Sequence, residues 1–311
     1  MTWAALFPGQ GSQFVGMGRE LHDASAEARA VFAEADDALG FPLSSLMWDD
    51  AEGKLRLTEI QQPAILAVSV AVWRTLGLTD LPRAGLGLSL GEYSALVAAE
   101  LLPFADAVRI AQVRGRAMQE AVPDGEAGMT ALLGLNAATV EGLCEQVREQ
   151  GWVEPANYNA PGQVVVSGHI AALEAVEELA RSAGARVVRL PVSAPFHSRL
   201  LKPAEAKLEE ALSRAHWGQA RFPVIANVDG HWVTTGEEAL PRLVRQVSHP
   251  VLFEHAVHAL LDSGVTRFLE MGPGRSLQAL VKKIHRSAQV VSVEKPGGFP
   301  AALELVKVER L

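Results

Sequence analysis

Apolar runs and amphipathic stretches alternate along this chain from its first residues. Trp3-Ala4-Ala5-Leu6-Phe7 is an unbroken apolar run, the signature of a strand buried on both faces. It ends in a glycine loop, Pro8-Gly9-Gln10-Gly11-Ser12-Gln13. Leu21, Ala28, Val31, Phe32, Ala35 and Leu39 then fall on an amphipathic helical region, and residues 61–76, rich in Ala, Val and Leu, predict a second helix. A short apolar segment, Ala84-Gly85-Leu86-Gly87-Leu88, passes through Ser89-Leu90-Gly91-Glu92 into the apolar run 93–102. That pattern predicts strand, sharp turn, helix. Residues 104–121 are helical again and carry Arg109, Arg114 and Arg116.

Near Glu126-Ala127-Gly128 the texture changes. Strands at 129–135, 152–158, 163–168 and 185–192 alternate with helices at 137–149 and 170–182, in the β-α-β-β-α-β order of a ferredoxin-like unit. The α/β pattern then resumes with helix 203–214, strand 222–227, helices near 239–246 and 251–263, and strand 266–270. After the Gly272-Pro273-Gly274 turn, helix 275–286 and strand 290–293 close the alternation. Strands alternating with helices predict a mostly parallel sheet covered on both faces. The expected organisation is an α/β core made of residues 1–125 and 193–311, with residues 126–192 as an inserted smaller lobe.

Composition narrows the function classes. The 311 residues carry 36 Asp and Glu against 28 Lys and Arg, a formal charge of −8, which argues against a general nucleic-acid binder. One cysteine, Cys144, excludes an internal disulfide framework and any cysteine-built zinc site; its spacing from Val140, Leu143 and Val147 marks a core thiol. The N-terminus lacks the positive region of a signal peptide, and no apolar run approaches the ~20 residues of a membrane helix. A cytoplasmic protein with no membrane partner is expected, and a monomer.

The strongest chemical signal is Gly87-Leu88-Ser89-Leu90-Gly91 between a predicted strand and helix. Glycines on both sides of a serine permit a tight turn that lifts the hydroxyl out of the sheet. The N–H of Leu90 then lies at a helix start, where a tetrahedral oxyanion would form. Taken alone, the pentapeptide also fits a glycine-relieved turn with an incidental serine. Of nine histidines, His197 stands out, because Pro195-Phe196-His197-Ser198 follows a strand and precedes a helix. Between Ser89 and His197 only Asp106 and Asp124 are aspartates, and neither closes a strand. The third member of a triad is therefore absent or is not a carboxylate, and a backbone carbonyl is one substitute. The loop at 8–13 fails the dinucleotide pattern, because after Gly9 and Gly11 it is Phe14 that stands where the third glycine is required. It fails the P-loop pattern at Met17, and it suits an oxyanion-hole N–H instead.

Six segments occur in a telling order. They are Phe7-Pro8-Gly9-Gln10-Gly11-Ser12-Gln13, Gly87-Leu88-Ser89-Leu90-Gly91-Glu92-Tyr93-Ser94, Arg114-Gly115-Arg116-Ala117-Met118-Gln119, Asn159-Ala160-Pro161-Gly162-Gln163-Val164-Val165, Pro195-Phe196-His197-Ser198 and Glu270-Met271-Gly272-Pro273-Gly274. Together they resemble the malonyl-CoA:acyl carrier protein transacylases of bacterial fatty-acid synthesis, from about residue 3 to residue 295. The resemblance implies a hydrolase-like α/β core with a ferredoxin-like insertion.

It also implies roles. Ser89 would be the acylated nucleophile and His197 its base, with the backbone carbonyl of Gln246 orienting the imidazole. The N–H groups of Gln10 and Leu90 would form the oxyanion hole. Arg114 would grip the malonyl carboxylate, and Phe196 would crowd out an α-branched acyl group. Glu92 reads as structural. Leu88 departs from the family, in which histidine is common before the nucleophile. The implied reaction moves malonyl from malonyl-CoA through a serine ester to acyl carrier protein, with no cofactor and no metal. A polyketide-synthase acyltransferase and a serine esterase or thioesterase are the alternatives. Carrier docking would need a local basic patch: Arg275, Lys282, Lys283 and Arg286, or Arg181, Arg186 and Arg189.

Overall fold

The computed structural model describes residues 2–192 and 194–307. Strand β1 (Thr2–Phe7) is buried from Trp3 onward and occupies the middle of a six-stranded sheet. Helices α1 (Arg19–Ala24), α2 (Ala26–Leu39) and α3 (Leu43–Asp49) follow. The Ser25 side chain caps α2 by accepting the Ala28 N–H, and Gly40, at φ 73, ends that helix. Helix α4 (Thr58–Leu76) is apolar on nearly every face because it is enclosed, with α2 and α6 (Phe104–Glu120) packed against it. Strand β2 (Gly85–Gly87) and helix α5 (Gly91–Ala98) lie between α4 and α6 in the chain.

A second, antiparallel sheet comes next. Its elements are β3 (Ala127–Leu133), α7 (Ala137–Gln146), β4 (Val153–Ala160), β5 (Gln163–His169), α8 (Ile170–Ser182) and β6 (Arg186–Arg189), with strand order β4-β5-β3-β6. The core continues through α9 (Lys202–Ser213), β7 (Val224–Ile225), β8 (Trp232–Val233), α10 (Gly236–Gln246) and α11 (Phe253–Asp262). It finishes with β9 (Val265–Met271), α12 (Ser276–Ile284), β10 (Gln289–Val293) and α13 (Phe299–Val306). The large sheet runs β10-β9-β1-β2-β7-β8, with every pairing parallel except β7 with β8.

Several elements differ from the pattern-based expectation. Strand β7 has two residues where six were expected, and β6 stops at Arg189. The antiparallel β8 is too short to show a period; it follows the Asp229-Gly230 turn, where the Asp229 carboxylate accepts the His231 N–H. Helix α13 follows β10, which was expected to be last; it buries Ala302, Leu305 and Val306 beside β9 and β10. Glu270, from the last sequence segment singled out, caps α12 with its carboxylate by accepting the N–H groups of Leu277 and Gln278. The small sheet is tied to the core where the Tyr158 N–H of β4 donates to Val251 O, just before α11, and the Val251 N–H donates to Ala156 O, both at 2.9 Å.

Candidate active site

The turn from β2 into α5 is tight enough that side chains are excluded from both flanking positions. A Cβ on Gly87 would lie 1.8 Å from the Gly91 carbonyl carbon, and one on Gly91 would lie 2.0 Å from the Phe7 oxygen. Between them Ser89 adopts φ 53, a left-handed conformation that costs a non-glycine residue about 1–3 kcal/mol. The reward is placement: Oγ stands clear of the sheet at the start of a helix. The glycine loop after β1 lies against the same turn, since a Cβ on Gly9 would fall 2.3 Å from the Leu88 oxygen. That contact brings Gln10 beside Ser89.

His197 reaches Ser89 from 108 residues away. Its Nε2 lies 2.7 Å from Ser89 Oγ, and its Nδ1 lies 2.8 Å from the backbone oxygen of Gln246. A carbonyl only accepts, so Nδ1 carries the proton and Nε2 is left bare to accept the serine hydroxyl. Burial, reinforced by the nearby Arg114 cation, pushes the imidazole down from 6.5 to about 3, so it is neutral at physiological pH. The segment carrying it is itself tied down: Ser198 Oγ donates to Pro195 O at 2.8 Å, and His197 sits at φ 59.

Arg114, on α6, is 1% exposed. Nη1 donates to Gln62 Oε1 at 2.8 Å, and Nη2 donates to Ser89 Oγ at 3.0 Å and Gln246 Oε1 at 2.9 Å. Its guanidinium lies over the Tyr93 ring at 5.5 Å. Among the described residues every hydrogen-bond partner of this cation is a neutral oxygen, and burial lowers its pKa. The buried Glu92 acts on it electrostatically, but among the described residues no carboxylate hydrogen-bonds it, so the cation beside the reactive hydroxyl has no direct anionic partner.

Above Ser89 lies a cavity of about 240 Å³. Gln10, Leu88, Phe196 and His197 line it, together with Met118, Met129, Asn157 and Asn159. Phe196, 6% exposed, fills one wall, and Leu88 makes an apolar contribution beside the nucleophile. The N–H groups of Gln10 and Leu90 take no backbone partner among the described residues. The seven residues singled out in the sequence, Ser89, His197, Gln246, Gln10, Leu90, Arg114 and Phe196, converge on this one place.

Two neighbours escaped the sequence reading. Gln62 holds Arg114, and Asn227 bonds the turn that carries Ser89. Asn227 follows the C-terminal end of a parallel strand, as Ser89 does, and that position was the available signal. Glu92, expected to be structural, is buried with its Oε2 accepting from Asn227 N at 2.9 Å and Gln246 Nε2 at 2.7 Å; burial raises its pKa to about 7. The candidate docking cations also divide. Arg181 and Arg189 both pair with Glu177, whereas Arg186 on the lobe and Arg275, Lys282, Lys283 and Arg286 on and beside α12 are exposed and pair with no carboxylate among the described residues.

Residues 5–298 match the family model described as an acyl transferase domain. A malonyl CoA-acyl carrier protein transacylase of Bacillus subtilis is 44% identical over 311 residues, covering 98% of each chain. One from Staphylococcus aureus is 41% identical over 293 residues, covering 94% of this chain and 95% of its own. Among solved structures, a malonyl-transacylase in complex with a type II PKS acyl-carrier protein is 40% identical with a TM-score of 0.95, covering 98% of this chain and 99% of its own. The malonyl CoA-acyl carrier protein transacylase of Clostridium perfringens is also 40% identical, with a TM-score of 0.94 and coverage of 98% and 96%. Full-length identity at this level, over a fold that superposes throughout, means that the chain belongs to the acyl transferase family, among the malonyl CoA-acyl carrier protein transacylases.

Proposed function

We propose that this protein transfers a malonyl group from malonyl-CoA to the phosphopantetheine thiol of acyl carrier protein, through an ester on Ser89. One observation carries the proposal: Ser89 Oγ is hydrogen-bonded at once to a neutral imidazole and to a buried arginine. The first group prepares a nucleophile; the second is a receptor for a carboxylate on the acyl group.

Ser89 Oγ attacks the thioester carbonyl while His197 Nε2 takes its proton. The carbonyl oxygen becomes an oxyanion held by the N–H groups of Gln10 and Leu90. Collapse breaks the C–S bond, and the departing CoA sulfur takes the proton from the imidazolium. The Gln246 carbonyl stabilises that imidazolium through Nδ1–H, the part an aspartate plays in a charged triad. The carrier thiol then repeats the sequence on the serine ester, returning the proton to Ser89. Throughout, Arg114 exchanges a neutral partner for the malonyl carboxylate, where a planar fork of donors gains most. Phe196 narrows the cavity against an α-branch.

We further assign residues 1–125 and 193–311 to the transferase core and residues 126–192 to the ferredoxin-like lobe, with the cleft between them as the acyl site. The exposed cations on and beside α12 are the favoured carrier-docking face, since the Arg181 and Arg189 charges are already spent on Glu177. A cytoplasmic location fits the substrates; among the described residues no helix is long and apolar enough to cross a membrane. A polyketide carrier is a second acceptor class, suggested by the related malonyl-transacylase solved with a type II PKS acyl-carrier protein.

The test is incubation with malonyl-CoA followed by mass spectrometry, then chase with carrier protein. Malonate on Ser89 that moves to the carrier thiol is expected. Label elsewhere, or rapid release of free malonate, overturns the proposal. Parallel chases into fatty-acid and polyketide carriers separate the two acceptor classes.

A further inference from the structure

A serine held at φ 53 needs surroundings that fix it there. The ladder between β2 and β7 ends at the pair Leu86–Ile225, just short of the turn. Beyond that point a side chain takes over. Asn227 Oδ1 accepts the Ser89 N–H at 2.6 Å, and Asn227 Nδ2 donates to Gly87 O at 2.7 Å. These two backbone groups bracket the turn, so one planar amide pairs with it as another strand would.

Asn227 is itself immobilised. It is fully buried; its N–H donates to Glu92 Oε2 at 2.9 Å, and its carbonyl accepts the Leu252 N–H at 2.8 Å. Glu92 also accepts from Gln246 Nε2, whose own backbone oxygen holds His197. The nucleophile turn and the base are therefore fixed to one buried frame. The pairing needs one donor and one acceptor in a plane, which an amide supplies and neither a carboxylate nor an alkyl group does. An aspartate would set an oxygen lone pair against Gly87 O. A leucine would leave two buried backbone groups unpaired.

Resting on the reading of Ser89 as nucleophile, we infer that Asn227 is a positioning residue: its side-chain amide clamps Gly87 O and Ser89 N–H, aiming Oγ at His197 and leaving the Leu90 N–H free for the oxyanion. The full chain, Asn227→Asp and Asn227→Leu are compared in single-turnover acylation by malonyl-CoA. Labelling of Ser89 by a serine-directed fluorophosphonate and urea unfolding accompany each. Acylation and labelling are expected to slow together by ~10²-fold in folded Asn227→Asp, the scale of a misplaced reacting group, with half-saturation by malonyl-CoA almost unchanged. Rates within about threefold of the parent, or a loss confined to half-saturation, overturn the assignment. If Asn227→Leu fails to fold, Asn227→Asp, nearly identical in shape, decides. If the parent takes no malonyl on Ser89, the transfer reading fails, and the fluorophosphonate rates still judge Asn227.

Discussion

Ser89 and His197 meet at 2.7 Å while both hold left-handed backbone, at φ 53 and φ 59. Each residue gives up about 1–3 kcal/mol of backbone ease to stand where it does. Neither conformation is relieved by glycine, because each position needs its side chain. The strain is offset by bonds around the pair: Asn227 on one side, and Gln246 and the Ser198–Pro195 contact on the other.

Arg114→Ala is expected to reduce malonyl transfer far more than acetyl transfer. Both reactions lose the Arg114 contact to Ser89 Oγ, so the ratio isolates the carboxylate. It should fall by about 10²-fold, the value of a buried charge-assisted pair. Arg114→Lys keeps the charge without the fork and should recover only part of the ratio. Parallel kinetics with the two acyl-CoAs measure it, and equal losses would refute the carboxylate role.

The imidazole of His197 should remain neutral well below the usual histidine range, because burial and Arg114 hold it near 3. NMR of the His197 ring from pH 7 to pH 5 is expected to report one unprotonated species with the proton on Nδ1. A titration near 6.5 would contradict the buried, carbonyl-oriented geometry.

Glu92 and His197 pull acid stability in opposite directions. Folded Glu92 titrates near 7, above 4.5 in the unfolded chain, so the native state binds extra protons between those values and gains stability as pH falls. Folded His197 titrates near 3, below 6.5, so the unfolded state gains protons across that window and stability is lost as pH falls. Glu92→Gln removes only the first effect. Its urea midpoint should therefore decline more steeply than the parent's from pH 7 to 4.5; parallel declines would place the Glu92 titration elsewhere.

Gly9→Ala tests the seating of the loop against the nucleophile turn. Its Cβ would enter the Leu88 carbonyl at 2.3 Å, a backbone contact that cannot swing aside. Displacing the loop moves the Gln10 N–H from the oxyanion position, and transfer should fall by ~10²–10³-fold. Malonyl-CoA kinetics on the folded variant check this, and activity near the parent's would remove Gln10 from the hole.

Lys282→Glu with Lys283→Glu should raise the KM for carrier protein severalfold and leave acylation of Ser89 by malonyl-CoA unchanged, since both side chains are exposed on α12. The comparison requires only separate assays of the two half-reactions. A KM unaffected by charge reversal would move the docking face elsewhere.

Local sequence determined what local sterics and periodicity decide. The strand, glycine-flanked serine and helix were legible because only glycine fits at Gly87 and Gly91, and because apolar period separates strand from helix. Short strands such as β7 and β8 were not legible, since two residues carry no period. Its place after a strand singled out His197 and the family resemblance named it as the base, but the 2.7 Å contact across 108 residues is the work of the tertiary structure alone. The Gln246 carbonyl was legible only through that resemblance, because a backbone acceptor is a group every residue possesses; the fold supplies its 2.8 Å bond to Nδ1. Tertiary structure alone decided Asn227: an amide's single donor and acceptor acquire a meaning only when the sheet delivers them to both sides of a turn.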